Sequence, residues 1–252
     1  MGEEGADRSL KGKLRRRIAR LEARRGAAAD PPGPMVSISF DDAPLSAAET
    51  GARILESRGA RGTFFIAMGL ADQDGPMGRN AGAGEVRALM DAGHEIGCHT
   101  FSHLNCGLAP AGLSAGDVER NRAALAELGV PEPVSFAYPY GEVCSSAKVA
   151  LGGRFALLRA LHHGVIRKGS DLNQAPAVGI EGQDGEAAAR DWLHRAIRKR
   201  SWLILYTHDV QESPSPYGCT PDALARLVDV AQARGAEVVT VAEGCRRIRI
   251  LA

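Results

Sequence analysis

Between residues 35 and 241, short apolar runs alternate with segments of helical periodicity. This constrains the chain more than any other feature, because it is the pattern of βα units feeding a parallel sheet. The first run, MVSISF at 35–40, places Val36, Ile38 and Phe40 on one face of a strand by their period of two, and it stops at two adjacent carboxylates, Asp41 and Asp42. Further strand-like runs lie at 62–67, 94–98, 134–138, 154–160, 177–181, 202–207 and 237–241. Helical patterns fall between them at 46–58, 85–92, 114–128, 186–199 and 221–234, the third with Ser114 as its expected cap and Gly129 as its stop. The glycine-rich stretch 69–84 reads as a long loop. Composition shows no break within 35–252, so the expectation is a single α/β domain of seven or eight strands. It would curl into a distorted or partly closed (β/α) barrel with its site at the carboxyl ends of the strands.

With 252 residues, 44% of them hydrophobic, the chain can bury a full core. Its 31 basic and 30 acidic side chains leave a net charge of +1, which gives no basic stripe for nucleic acid, and 5% aromatic content gives no stacking platform for single strands. Cys98, Cys106, Cys144, Cys219 and Cys245 form no CxxC pair and accompany no apolar leader; they predict free thiols and a cytoplasmic protein, with the inner face of a membrane as a peripheral option. Residues 1–34 form a separate basic segment: a helix is expected at 8–25, where Leu10, Leu14, Ile18 and Leu21 recur at helical spacing, followed by a polar linker at 26–34. Such a helix either packs on the outside of the domain or docks to an anionic membrane surface or a partner protein.

Two acids at a strand terminus are costly unless something positive lies between them. HTFSH supplies His99 and His103, and LILYTHD supplies His208 at the end of another apolar run, so acids and imidazoles converge on one rim with the ligand chemistry of a divalent metal such as zinc. The i, i+4 spacing of His99 and His103 aims both rings the same way on one helical turn. Each piece has a plainer reading, since an HxxxH pair is commonly surface structure and Asp-Asp commonly opens a turn. Cys98 reads as a buried structural thiol because adjacent strand residues face opposite ways. Trp192 and Trp202 read as core in preference to sugar-stacking platforms, and the proline-rich stretch 213–221 reads as a stiff loop at the rim.

Taken in order, FDD at 40–42, HTFSH at 99–103, AYPYG at 137–141 and LYTHD at 205–209 resemble the NodB-type polysaccharide deacetylases, carbohydrate esterase family four. The resemblance spans roughly residues 35–241. It implies metal-dependent removal of N-acetyl groups from an amino sugar or glycan, with Asp42, His99 and His103 as metal ligands and Asp41 as catalytic base. His208 becomes the general acid, and the backbone N–H of Tyr140 the oxyanion donor. Zinc is the expected ion, with cobalt or nickel also tolerated. The chain departs from the family at Ala137, where many members carry an arginine that pairs with the base. Arg159 and Arg167 are the replacements to consider, although Arg159 in FALLRA reads equally as an ordinary surface charge. Asp171 is the expected partner orienting His208. Two other functions stay open: an amidase of the same superfamily cleaving a non-sugar amide or cyclic ureide, and a non-catalytic glycan-binding domain. Retention of both aspartates and all three histidines counts against the second.

Overall fold

The computed structural model describes residue 7 and residues 9–248. Residues 1–6, Arg8 and residues 249–252, and with them the expected start of the basic helix, lie outside the described residues. Helix α1 (Leu10–Ala19) precedes β1 (Met35–Asp41), a π-helical stretch (Ala47–Gly51) running into α2 (Ala52–Glu56), and β2 (Thr63–Ile66). The loop at 69–84 carries a small hairpin, β3 (Asp74–Gly75) and β4 (Gly78–Arg79), before α3 (Ala83–Asp91) and β5 (Glu95–Cys98). Next come α4 (Ala111–Glu127), β6 (Ser135–Ala137), α5 (Ser145–Gly152), β7 (Leu157–Arg159) and β8 (Val178–Gly179). The chain continues through α6 (Gly185–Arg198), β9 (Trp202–Thr207), α7 (Pro221–Ala233), β10 (Glu237–Val238) and α8 (Val241–Ile248).

Seven strands pair in parallel in the order β7-β6-β5-β2-β1-β9-β8, with β10 as a short extra partner of β1. The sheet curls into a half-barrel. Between its two end strands lies a seam spanned by the bridge Arg159↔Ala175, where Ala160 N–H donates to Ala175 O (2.9 Å) and Ala175 N–H donates to Leu158 O (2.8 Å). β1 is the central strand and is buried along its whole length. Its two faces serve different layers. Val36, Ile38 and Phe40 pack outward against the helices, with Leu55 of α2 and Leu224 and Leu227 of α7 in the same cluster, and Phe40 stacks on Phe64 at 4.6 Å between centroids. Met35 begins the inner row and joins Phe65, Ile166, Trp202 and Ile204; Ser37 and Ser39 follow, their hydroxyls used by Trp202 Nε1 (2.9 Å) and Leu205 O (3.0 Å). Asp41 ends this inner row at the carboxyl rim.

Three local readings of the sequence give way to tertiary structure. Helix α4 starts at Ala111 behind Pro110, whose missing N–H costs nothing ahead of a first turn, so Ser114 lies buried inside the helix and is not its cap. β10 ends after Val238, and the β-branched run beyond it becomes helix α8, because Val241, Cys245 and Ile248 recur at helical spacing and join the inner cluster. The first N–H groups of α8 are taken by Thr63 Oγ1 (2.9 Å to Val241) and Glu95 Oε2 (2.7 Å to Ala242). Helix α1 is shorter than expected, and buried Lys148 marks its end by donating to Ala19 O (2.5 Å), Glu22 O (2.7 Å) and Asp171 Oδ2 (2.6 Å). Among the described residues no helix is long and apolar enough to cross a membrane.

Candidate metal and active site

Adjacent strand residues normally point to opposite faces, so two neighbouring aspartates reach one site only if the pleat breaks between them. It breaks here: Asp42 (φ 58°) and Ala43 (φ 48°) both adopt the left-handed conformation, which costs an L-residue roughly 1–2 kcal/mol. Asp41 stays in the sheet opposite Phe65 while Asp42 turns back over the rim. The stretch carrying the two histidines also departs from regular structure. His99 and His103 do not lie on a helical turn; Thr100 (φ 61°) and His103 (φ 55°) fold the segment into a left-handed bend. Asp117 of α4 holds that bend by accepting from the N–H groups of Phe101 (2.8 Å) and Ser102 (2.9 Å), and Thr100 Oγ1 accepts from Leu104 N–H (2.8 Å).

The bend brings His99 Nε2 to 3.7 Å and His103 Nε2 to 3.4 Å from Asp42 Oδ1, and one donor atom from each of the three residues lies within 4.8 Å of the others. His99 Nδ1 is 2.8 Å from Ala137 O. Since a carbonyl only accepts, Nδ1 carries the proton and Nε2 presents a lone pair toward Asp42. Burial pushes the pKa of both His99 and His103 down from 6.5 to about 4, so both rings are neutral at neutral pH. Burial, with the neighbouring Asp41 carboxylate, raises the pKa of Asp42 despite His99 and His208 nearby, and its Oδ1 is buried without a hydrogen-bond partner among the described residues.

Asp41 is in the opposite electrostatic position. Burial alone would raise its pKa, yet the Arg159 guanidinium, helped by His99 and His208, takes it below the usual 3.8. Arg159 Nη2 sits 2.5 Å from both carboxylate oxygens, and both side chains are buried. The guanidinium lies 5.2 Å from the ring centroids of both Phe65 and Tyr206. Arg159 therefore supplies beside Asp41 the cation that Ala137 cannot, and the reading of it as a surface charge is overturned. The reason is strand parity, since Leu157 and Arg159 share the inner face of β7, where only a buried acid can neutralise the cation. Arg167 lies at the surface, 3.3 Å from exposed Asp30.

His208 follows β9, with Nδ1 3.2 Å from Tyr217 O and 3.7 Å from Glu181 Oε2. The residue facing the His208 ring is Glu181, which burial shifts to a raised pKa and whose Oε1 accepts from Tyr206 OH (2.9 Å). Asp171 does not serve His208. It receives Lys148 Nζ on one oxygen and the N–H groups of Arg25 and Asn173 (3.0 Å each) on the other, and so pins the N-terminal segment to the barrel. Tyr140 (φ 58°) packs its ring against His103 at 4.4 Å, which brings its turn to the side of the rim that carries His99 and His103. Asp209 holds the proline-rich loop by accepting from Ser215 N–H (2.8 Å) and Oγ (2.5 Å). That loop and Ile180–Gly182 flank an open groove of about 530 Å³. Trp202 is core and Cys98 is a buried thiol whose pKa burial lifts to about 11, both as expected; all five cysteines are unpaired.

The family model for polysaccharide deacetylases matches residues 28–152, the stretch that carries Asp41, Asp42, His99, His103 and Tyr140. Comparison with curated protein sequences gives no match. Among solved structures the chain is similar to a polysaccharide-deacetylase-like protein from Mycobacterium smegmatis (17% identity, 89% of this chain and 95% of that one, TM-score 0.67). It is also similar to a family 4 carbohydrate esterase from Streptomyces lividans in complex with acetate (21% identity, 82% and 92%, TM-score 0.57). A third similar fold is that of a family 4 acetyl xylan esterase from Clostridium thermocellum in complex with cobalt (20% identity, 83% and 89%, TM-score 0.58).

Proposed function

We propose that the chain is a metal-dependent hydrolase that removes an N-acetyl group from an amino sugar or a glycan containing one. The observation that carries this reading is the convergence of Asp42, His99 and His103 beside an Asp41 that Arg159 keeps ionised. The donor set fits a divalent cation: two neutral imidazoles face a carboxylate whose Oδ1 is buried and unpartnered among the described residues. One carboxylate and two imidazoles suit zinc and also accept cobalt or nickel, and cobalt is the ion in the Clostridium thermocellum esterase of similar fold. When bound, such an ion supplies Lewis acidity, polarising an amide carbonyl and lowering the pKa of water.

The chain's own residues supply the proton movements. Asp41, ionised at neutral pH, accepts the proton of the attacking water. His208 donates Nδ1–H to Tyr217 O, which leaves Nε2 to carry a proton to the departing nitrogen. An amine is expelled only when protonated, so a positioned imidazole acid favours an amide over an ester substrate. The N–H of Tyr140 is assigned to the oxyanion, supported by the contact of Tyr140 with His103. Acetate bound to the similar Streptomyces lividans esterase supports acetyl as the acyl group.

The test is acetate release from N-acetylated amino sugars, chito-oligosaccharides and acetylated xylan, with protein stripped of metal or loaded with zinc, cobalt or nickel. Metal-dependent release from N-acetyl substrates is the expected result. Equal turnover by stripped protein, or turnover only of a cyclic ureide, overturns the proposal.

A further inference from the structure

Helix α1 is amphipathic in the reverse sense for a helix that merely packs on a domain. The side turned to the protein is made of small and charged groups: Gly12 and Ala19 are buried, and Arg15 and Arg16 both pair with buried Glu142, Arg15 at 2.7 Å. The opposite side carries Leu10, Leu14 and Ile18 at i, i+4 and i+8, with Leu21 in the turn beyond, and these are 84, 58, 42 and 76% exposed. At 3.6 residues per turn, Lys11 borders this stripe on one flank, and Lys13, Arg17 and Arg20 border it on the other. All four cations are exposed, and the helix contains no acid.

Buried ion pairs fix the orientation. Glu142 holds Arg15, Arg16 and the N–H of Asp7 (3.0 Å), and Lys148 holds the carbonyls at the helix end, so the leucines face outward while contributing nothing to the core. An apolar stripe between rows of lysine and arginine matches one environment on both counts, because the acyl boundary of an anionic bilayer takes the stripe and its headgroups take the cations. A second copy of the chain fits worse, since a symmetric contact through this face would set four cations against the same four. We propose that α1 is a peripheral membrane anchor that lays Leu10, Leu14 and Ile18 into the surface of an anionic bilayer. The assignment is independent of the reaction at the rim.

The experiment is co-sedimentation of the full chain with vesicles of phosphatidylcholine alone or mixed with phosphatidylglycerol, at low and high salt. Binding on the order of 10²-fold tighter to the anionic vesicles, weakened by salt, is expected from four cations near the surface. Leu14→Glu with Ile18→Glu should lower that affinity at least about tenfold while the thermal midpoint is retained, since both side chains are exposed. Changing Lys11, Lys13, Arg17 and Arg20 together to Gln should abolish the preference for anionic lipid. Failure to bind anionic vesicles, or binding that Leu14→Glu/Ile18→Glu leaves intact, overturns the anchor. So does a lipid-free dimer, seen by light scattering, that the same double variant dissolves; that result assigns the face to a second copy.

Discussion

Arg159→Met separates the two things the arginine does, because methionine refills the space between Phe65 and Tyr206 but brings no charge to Asp41. Breaking a buried ion pair by removing one partner typically costs ~3–5 kcal/mol. For a chain of this size each kcal/mol moves the midpoint by about 2–4 °C, so thermal unfolding at pH 7 should fall by roughly 6–20 °C. The pH dependence carries the sharper test. With Arg159 present the folded pKa of Asp41 lies below 3.8, so its stabilising contribution is complete above 3.8 and is lost as pH falls through the lower folded value. Without the cation, burial dominates, Asp41 takes up a proton inside the fold, and the penalty of a lone buried charge disappears. The stability gap between wild type and Arg159→Met should therefore be widest near neutrality and narrow toward acid, while the acid limb of kcat/KM moves to higher pH. Arg159→Lys, which keeps the charge, should recover part of both effects. Differential scanning calorimetry from acid to neutral pH, run alongside pH–rate profiles, measures them. A gap that is constant with pH, or an unchanged acid limb, refutes the assignment of Arg159 as the group that keeps Asp41 ionised.

Four further outcomes follow from the site and its supports. Asp42→Ala should lose bound metal and activity together, whereas Asp41→Asn should retain the metal, as read by mass spectrometry of the intact protein, and lose on the order of 10² to 10⁴ in kcat. His208→Ala should keep the metal and slow amide turnover far more than that of an activated ester whose leaving group needs no proton. His99, His103 and His162 are all pushed by burial from 6.5 to about 4, so the fold binds fewer protons than the unfolded chain between those values. Urea titration of metal-stripped protein should accordingly show stability falling as pH drops from 6.5 toward 4, and a flat profile would contradict the burial of these rings. Glu142→Gln leaves Arg15 and Arg16 without their buried acid and should cost roughly 1.5–3 kcal/mol, with proteolysis beginning in α1.

The half-barrel was readable because its long strands obey simple rules. MVSISF and WLILYT are buried along every residue and carry the β-branched and aromatic content of central strands. β6, β7 and β8 have only two or three residues each, and runs that short do not separate strand from buried loop. Asp41, Asp42, His99, His103 and His208 were legible as a set because each lies at or just beyond a strand end. The shape of HTFSH was not, since its left-handed bend depends on Asp117, a residue on another element. Arg159 was one of two candidate cations, and its place in an apolar run favoured it over Arg167, because a cation there needs a buried acid and Asp41 needs a cation. The choice of Glu181 over Asp171 beside His208 could not be made from spacing. It follows from the pairing of β8 with β9, where Gly179 lies opposite Tyr206 and sends Glu181 to the end of β9. For α1, periodicity predicts a helix but not which side faces the protein.

The seam between β7 and β8 ties the charge state of Asp41 to the closing of the half-barrel. Arg159 is at once the residue bridged to Ala175 across that gap and the cation that holds Asp41. A local opening that parts Ala160 N–H from Ala175 O frees the strand carrying Arg159, and Asp41 loses its counter-charge in the same event. The amides of Ala160 and Ala175 therefore report on the site through hydrogen exchange, and their opening free energy bounds the fraction of molecules in which Asp41 is held ready to act. A ligand that holds Asp41 and Arg159 together would be felt as slower exchange at these two amides.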